Sequence, residues 1–369
     1  MTMVPDGVEV VGTASEAASL EFPPLLVIDA LTDYLDRIGL SAGDLSWTRI
    51  GEGQSNVTYA IRSGRKRLVL RRGPRPPLPP STHDMPREAS LLRKLRNAGV
   101  PVPEVHAVCT DESVLGVPFY LMEFVDGRVI TDSLPSDLDS PEQRAAIARE
   151  AVDTLARLHQ IDVSSGDLAT IGRPDGYLLR QVERFWSLWS VNTRRDLPAV
   201  DRIGTWLRDN LPTTQAASVV HGDYRIGNLM YDRRAPARVV AILDWEMATI
   251  GDPLADLGYL TATYAEAGSP PTPLDLTPVT RLAGFPDRAA LIESYRRNSP
   301  LDTNALPWYQ ALALWKAAIF CEAMYTRWLD GERPGDTGFA PTLKEGVPVL
   351  LEEAARAAGI VEPLRRRDS

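Results

Sequence analysis

Two apolar runs lie close together in the chain and each ends in an aspartate: Val219-Val220-His221-Gly222-Asp223, and Val239-Val240-Ala241-Ile242-Leu243-Asp244. Such runs read as short strands, so any fold must carry them as a β-rich island, residues 219–243, among helices. Ahead of the island, Ser140 followed by Pro141 is an N-cap with proline at the first helical position, and it opens a helix running to about His159. Behind it, Trp308, Leu312, Trp315 and Ile319 recur at helical spacing in a helix that stops near Gly331. The first third of the chain has another order. An amphipathic helix at 27–38 precedes strands at 46–50, 57–61 and 67–70, a helix at 86–98 ending at Gly99, and strands at 105–109 and 117–123. For 369 residues at roughly 150 per domain, this predicts an α+β chain of two lobes. Residues 1–40 are expected to form a tail and helix, 41–125 a small β-rich N-lobe, and 126–369 a larger, mainly helical C-lobe, with Gly127 and the polar stretch 131–140 marking the boundary.

Composition removes several classes of function. The longest apolar run, residues 114–122 even with Gly and Pro allowed, is nine residues, against the roughly 20 a membrane-crossing helix needs. A formal charge of −9 argues against nonspecific binding to nucleic acid or anionic lipid. Cys109 and Cys321 are too few and too distant for a disulfide framework or a zinc site, which points to a reducing cytoplasm. His83, His106, His159 and His221 offer no helical metal-ligand pair. The first 20 residues contain no Lys or Arg and no long apolar stretch, so they read as a loose tail rather than a secretory signal. Residues 73–86 hold six prolines and read as a stiff exposed loop.

An asparagine stands five residues after Asp223, and the second run continues Asp244-Trp245-Glu246. Phosphoryl transfer from ATP needs such a set. One carboxylate orients an attacking hydroxyl and takes its proton, while an amide and a second carboxylate hold Mg²⁺ on the phosphates. Asp223 fits the first role; Asn228 and Asp244 fit the metal-binding roles. The spacing Asp-x-x-x-x-Asn matches the catalytic loop of protein kinases, with His221-Gly222-Asp223 for His-Arg-Asp and Asp244-Trp245-Glu246 for Asp-Phe-Gly. Taken alone, each Asp would read as a cap at a strand end.

With Gly251-Asp252-Pro253-Leu254-Ala255-Asp256-Leu257 following, the segment resembles the aminoglycoside phosphotransferase family, the small-molecule branch of the protein-kinase-like fold, and the resemblance extends over residues 40–330. Gly53-Gln54-Ser55-Asn56-Val57-Thr58-Tyr59 and Leu68-Val69-Leu70-Arg71-Arg72 look like the branch found as kinase-like domains fused to some acyl-CoA dehydrogenases. The resemblance implies a bilobal protein with ATP bound in the cleft, and an alcohol group of a small molecule as acceptor.

Gly51-Glu52-Gly53-Gln54-Ser55-Asn56 joins two predicted strands, so it reads as a hairpin over ATP phosphates, drawing on Gly51, Gly53, Ser55 and Asn56, rather than as a dinucleotide-binding turn, which would lead into a helix. The family often has Lys where Arg71 stands, with Glu88 on the next helix as its partner; Arg72 competes for the role, and strand alternation allows only one of the two on the cleft face. Residues 123–127 resemble the kinase hinge, where the Glu123 carbonyl and Val125 N–H would bind adenine. Asp252-Pro253 reads as a helix cap and first turn, Asp256 as a bond to the catalytic loop, and His221 as structural. The acceptor is left open by the residues. The acyl-CoA dehydrogenase-associated branch implies a hydroxyacyl-CoA-type or other apolar alcohol, which the tryptophans of the C-lobe suit better than a polycation. Aminoglycoside or macrolide kinase is the alternative, and a silent nucleotide-binding module or a metal-dependent phosphoesterase are readings of another class. The oligomeric state is not legible.

Overall fold

A computed structural model describes residues 8–51, 56–76, 83–332 and 335–360, and the chain divides into two compact units, Met1–Asp126 and Gly127–Ser369. The first is built on a five-stranded antiparallel sheet ordered β3-β4-β5-β7-β6, with β3 Leu45–Arg49, β4 Val57–Ser63, β5 Lys66–Arg72, β6 Val105–Cys109 and β7 Phe119–Glu123. In β4, Val57, Tyr59, Ile61 and Ser63 are buried while the residues between them are more open, the period-2 pattern of a sheet with one face on the core. Helix α3, Met85–Asn97, is capped by the Asp84 side chain, which accepts from Arg87 N at 2.9 Å, and has Pro86 in its first turn. It buries Met85, Ala89, Leu91, Leu92 and Leu95, and with them the carboxylate of Glu88.

The amino-terminal segment departs from the expected loose tail. β1 Val10–Val11 pairs in parallel with β2 Leu26–Val27, and between them the short helix α1, Ala14–Ala18, begins with a capping box in which the Thr13 hydroxyl accepts from Glu16 N and the Glu16 carboxylate accepts from Thr13 N. Leu25, Leu26, Leu31 and Leu35 share one core with Val57, Tyr59, Leu70 and Phe119, and α2, Ile28–Arg37, packs there with the short helix α4, Glu112–Leu115. The proline-rich loop is likewise not exposed throughout: Gly73 and Pro74 are buried, and residues 77–82 lie outside the described residues.

In the second unit, α5 Pro141–Leu158 is capped by Ser140, whose Oγ accepts from Gln143 N at 3.3 Å. Helices α6 Tyr177–Asn192 and α7 Ala199–Asp209 follow, and later α8 Leu254–Thr263, α9 Arg288–Asn298, α10 Leu306–Leu329 and α11 Phe339–Ala357. The stripe on α10 faces the core, where the indole N–H groups of Trp308 and Trp315 donate to Leu207 O and Val200 O, each at 3.0 Å. The β-rich island is two sheets, not one. β9 Ser218–Val220 pairs with β12 Thr249–Gly251, while β10 Leu229–Asp232 lies between β8 Gly127–Val129 and β11 Val239–Ile242. Asp223 therefore follows a strand of one sheet and Asp244 a strand of the other. No described helix is long and apolar enough to cross a membrane.

Candidate active site

The loop after β9 is fixed by one buried carboxylate. Asp256, in the first turn of α8, accepts from His221 N at 2.6 Å and from Gly222 N at 2.8 Å. A buried carboxylate taking two backbone N–H bonds holds those amides far more firmly than water would. Asp252 sits just ahead of the helix, where its Oδ1 accepts from Leu254 N at 3.0 Å and its Oδ2 from Tyr309 O–H at 2.9 Å. Burial holds its carboxyl above the usual range, against those bonds.

His221 serves structure. Its Nε2 is 2.8 Å from Leu243 O, a pure acceptor, so Nε2 carries the proton; Nδ1 then accepts from Asp223 N at 3.2 Å. With both nitrogens engaged, His221 ties the loop of Asp223 to the end of β11. Its ring lies 4.7 Å from that of Trp245, whose indole donates to Ile242 O at 3.0 Å.

Asn228 joins the two aspartates. Its Nδ2 donates to Asp223 O at 2.8 Å and to Asp223 Oδ2 at 2.7 Å, and its backbone carbonyl accepts from Leu243 N at 2.8 Å, one residue before Asp244. Asp244 itself is held at φ +63°, a left-handed conformation rare for residues with a Cβ. Such strain concentrates at functional sites, where surrounding structure enforces it. Gly222, at φ +88°, has no room for a Cβ, which would stand 2.9 Å from the Cβ of Met247; this glycine lets the loop close on the segment beyond Asp244.

Two residues that the sequence reading did not single out also address Asp223. Arg225 Nε lies 3.7 Å from its Oδ1. Tyr259, one turn beyond Asp256 on α8, has its hydroxyl pKa pushed well above the usual value, first by burial, then by the charge of Asp223 and a hydrogen bond to it. The helical spacing from Asp256 could have flagged Tyr259, but only once α8 was known to abut the loop.

In the first unit, Arg71 and Arg72 separate as strand alternation requires. Arg71 Nε is 3.1 Å from Glu88 Oε1, with side chains only 14% and 5% exposed, and Tyr120 O–H donates to the same oxygen at 3.1 Å. Arg72 is fully buried and donates to Leu25 O, to Leu115 O at 3.0 Å and to Gly73 O at 2.9 Å. Burial pushes its guanidinium down to about 10. It is thus a cross-link between β5 and the amino-terminal segment. Asn56 is buried with its Oδ1 2.7 Å from His83 Nδ1, Gly51 is exposed at φ +76°, and Gly53 and Ser55 lie outside the described residues. Glu123 ends β7, where its Oε2 accepts from Glu104 N at 3.2 Å, and Val125 is half-buried in the connection that follows.

Comparison with known proteins identifies the family. The model of the phosphotransferase enzyme family matches residues 46–291. Acyl-CoA dehydrogenase family member 11 of Rattus norvegicus is 34% identical over 86% of this chain and 41% of its own length, and family member 10 of Mus musculus is 35% identical over 84% of this chain and 29% of its own. The chain thus spans well under half of these relatives. A crystal structure of a putative aminoglycoside phosphotransferase from Ralstonia eutropha superposes with a TM-score of 0.75 at 31% identity, covering 91% of this chain and 99% of that one. The fold is the α+β protein-kinase-like one, and the chain belongs to the phosphotransferase enzyme family.

Proposed function

We propose that the chain transfers the γ-phosphoryl group of ATP, with Mg²⁺, to the hydroxyl of an apolar acceptor of the hydroxyacyl-CoA type. The observation that carries this is the pair of hydrogen bonds from Asn228 Nδ2 to the carbonyl and carboxylate of Asp223, at 2.8 and 2.7 Å, in a loop tied through Asn228 O and Leu243 N to the segment of the strained Asp244. Asp223 is the proton acceptor: its carboxylate orients the acceptor hydroxyl and takes its proton as the oxygen attacks the γ-phosphorus, while the bond to the β-γ bridging oxygen breaks and ADP leaves. Both of these side-chain bonds of Asn228 use its Nδ2, which leaves its Oδ1 as a hard oxygen donor for a metal ion, with the carboxylate of Asp244 as the second ligand. One amide oxygen and one carboxylate suit Mg²⁺, which takes few protein ligands and completes its shell with phosphate and water. Bound there, the ion would offset phosphate charge. Arg71, steadied by Glu88, is assigned to the α and β phosphates, Gly51, Gly53, Ser55 and Asn56 to the cover over them, and the backbone of Glu123 and Val125 to adenine. Cys109 and Cys321 are buried and unpaired, in keeping with a cytoplasmic setting.

The pairing of three acidic residues of the helical unit supports this acceptor class. Aminoglycosides carry several ammonium groups and need carboxylates to compensate them. Glu322 is buried and clamped by Arg195, whose Nε lies 3.0 Å from both its oxygens; Asp330 is 2.6 Å from Arg194, and Glu332 is 2.8 Å from Arg327. Steady-state kinetics with a kanamycin-type aminoglycoside and a 4-hydroxyacyl-CoA ester test the reading, with turnover expected for the ester only. Efficient phosphorylation of the aminoglycoside and none of the ester would restore antibiotic modification.

A further inference from the structure

The loop that carries Asp223 turns one guanidinium away from the core, between two anchors. Tyr224 is fully buried, with its hydroxyl donating to Ala151 O at 2.8 Å, and Ile226 is buried on the other side. Arg225 stands between them in extended backbone, its carbonyl accepting from Asn228 N at 2.9 Å. Successive side chains of an extended segment point to opposite sides, so seating Tyr224 and Ile226 in the core directs Arg225 away from it. Its side chain is 21% exposed, its Nε is buried, and Asp223 Oδ1, at 3.7 Å, is its ion-pair partner. That distance is too long for a hydrogen bond. A guanidinium has five N–H donors, and among the described residues Arg225 meets none of them with an acceptor.

The surroundings leave room for this group and nothing to satisfy it. Gly227 has no side chain where the guanidinium lies: a Cβ there would overlap Arg225 Nη1 and would stand 3.2 Å from Thr277 Oγ1. The Thr277 hydroxyl is buried and also lacks a hydrogen-bond partner. Two unmet polar groups thus meet beside Asp223, and such groups cost stability unless a ligand satisfies them. The two oxygens of Asp223 are divided. Asn228 Nδ2 holds Oδ2 at 2.7 Å, and Arg225 faces Oδ1. Since Asn228 is the residue assigned to the metal, the Oδ1 edge is the one left to the acceptor.

We infer that Arg225, seated over Gly227 and against Thr277, determines acceptor specificity by binding the acyl oxygen of the acceptor, as the carboxylate of a free hydroxy acid or the carbonyl of its thioester. The planar fork of a guanidinium matches two carboxylate oxygens, and one of its N–H groups suffices for a carbonyl. The inference rests on the reading that Asp223 addresses an acyl-type acceptor, but the subsite can be measured without turnover. In titration calorimetry with the full chain and no nucleotide, the probes are octanoate, octanoyl-CoA and 1-octanol. Arg225→Met weakens binding of octanoate or octanoyl-CoA about tenfold, the scale of one lost charged hydrogen bond, and leaves 1-octanol unchanged, which a general collapse of the loop would not do. A loss for octanoate assigns the carboxylate, and a loss for octanoyl-CoA alone assigns the thioester carbonyl. Arg225→Lys recovers part of the affinity. Gly227→Ala gives the same selective loss with every charge kept, because its Cβ displaces the guanidinium; this second variant decides the matter if Arg225→Met does not fold. Selective loss of acyl binding, with neither 4-hydroxyoctanoate nor its CoA thioester phosphorylated by the parent, would leave the subsite standing and reject the reading of the reaction. The inference is overturned if the parent binds neither acyl probe, if the acyl probes and 1-octanol lose or keep affinity together, or if the variants weaken only the binding of Mg²⁺ with a non-hydrolysable ATP analogue.

Discussion

A proton acceptor and a metal ligand place different demands on a carboxylate, and Asp223 and Asp244 are built differently. Asp223 lies in the loop after β9, with one oxygen bonded by Asn228 and the other facing Arg225. Asp244 is forced into a left-handed conformation at the end of β11. If Asp223 acts on the acceptor, its contribution arises mainly in the transition state. Asp223→Ala is then expected to lower kcat by about a hundred- to ten-thousandfold and leave Mg·ATP affinity nearly intact. If Asp244 holds the metal, Asp244→Ala should weaken Mg·ATP binding as well. Titration calorimetry with a non-hydrolysable ATP analogue and Mg²⁺ separates the two, and equal loss of nucleotide affinity in both variants would show the roles to be misassigned.

At the scale of elements, α8 converts one side chain into the shape of the loop. Asp256→Ala leaves two buried N–H donors, His221 N and Gly222 N, without acceptors. At one to a few kcal/mol for each orphaned donor, the variant should lose about 3 kcal/mol of stability, read as a lower urea midpoint at unchanged slope, and lose activity through kcat. A stability change within a few tenths of a kcal/mol would mean that water replaces the carboxylate. The bond of Asp256 to the loop, and the candidacy of Asp223, Asn228 and Asp244, were legible because phosphoryl-transfer chemistry fixes both residue type and spacing. So was the α10 stripe, since burial fixes its period. What escaped notice depends on distant partners. β1 and β2 are two residues each and exist because they pair with each other; no local propensity marks them, although the Thr13-x-x-Glu16 capping box beside them was a readable signal. Arg71 and Arg72 are neighbours of one type, and only the packing of Leu25 and Leu115 on one face of β5 assigns the buried cross-link to Arg72. Tyr259 is an ordinary helical residue until α8 is laid against the loop.

Over the whole molecule, each unit closes its own core. The amino-terminal core runs from Val11 to Leu121, and the second unit buries Leu155, Val200, Ile203, Trp315, Leu343 and Leu350 almost completely within Gly127–Ser369. A unit with its own core and its own hydrogen-bonded sheets can fold alone. The tryptophans allow this to be watched, because seven of the eight, all but Trp47, lie in the second unit, and Trp245, Trp308 and Trp315 are held by indole bonds to backbone carbonyls. The fragment 127–369 should therefore give a helical far-UV spectrum, a near-UV tryptophan signal comparable to that of the full chain, and a single cooperative melt. The fragment 1–126 should fold with a near-UV spectrum dominated by tyrosine and phenylalanine, because its one indole, Trp47, is 39% exposed. Loss of the near-UV signal from 127–369 together with binding of a hydrophobic dye would identify a molten globule. In that case the packing of the helical unit, including the loop that carries Asp223 and Asn228, would depend on the first 126 residues rather than on the contacts of Trp308, Trp315 and Asp256.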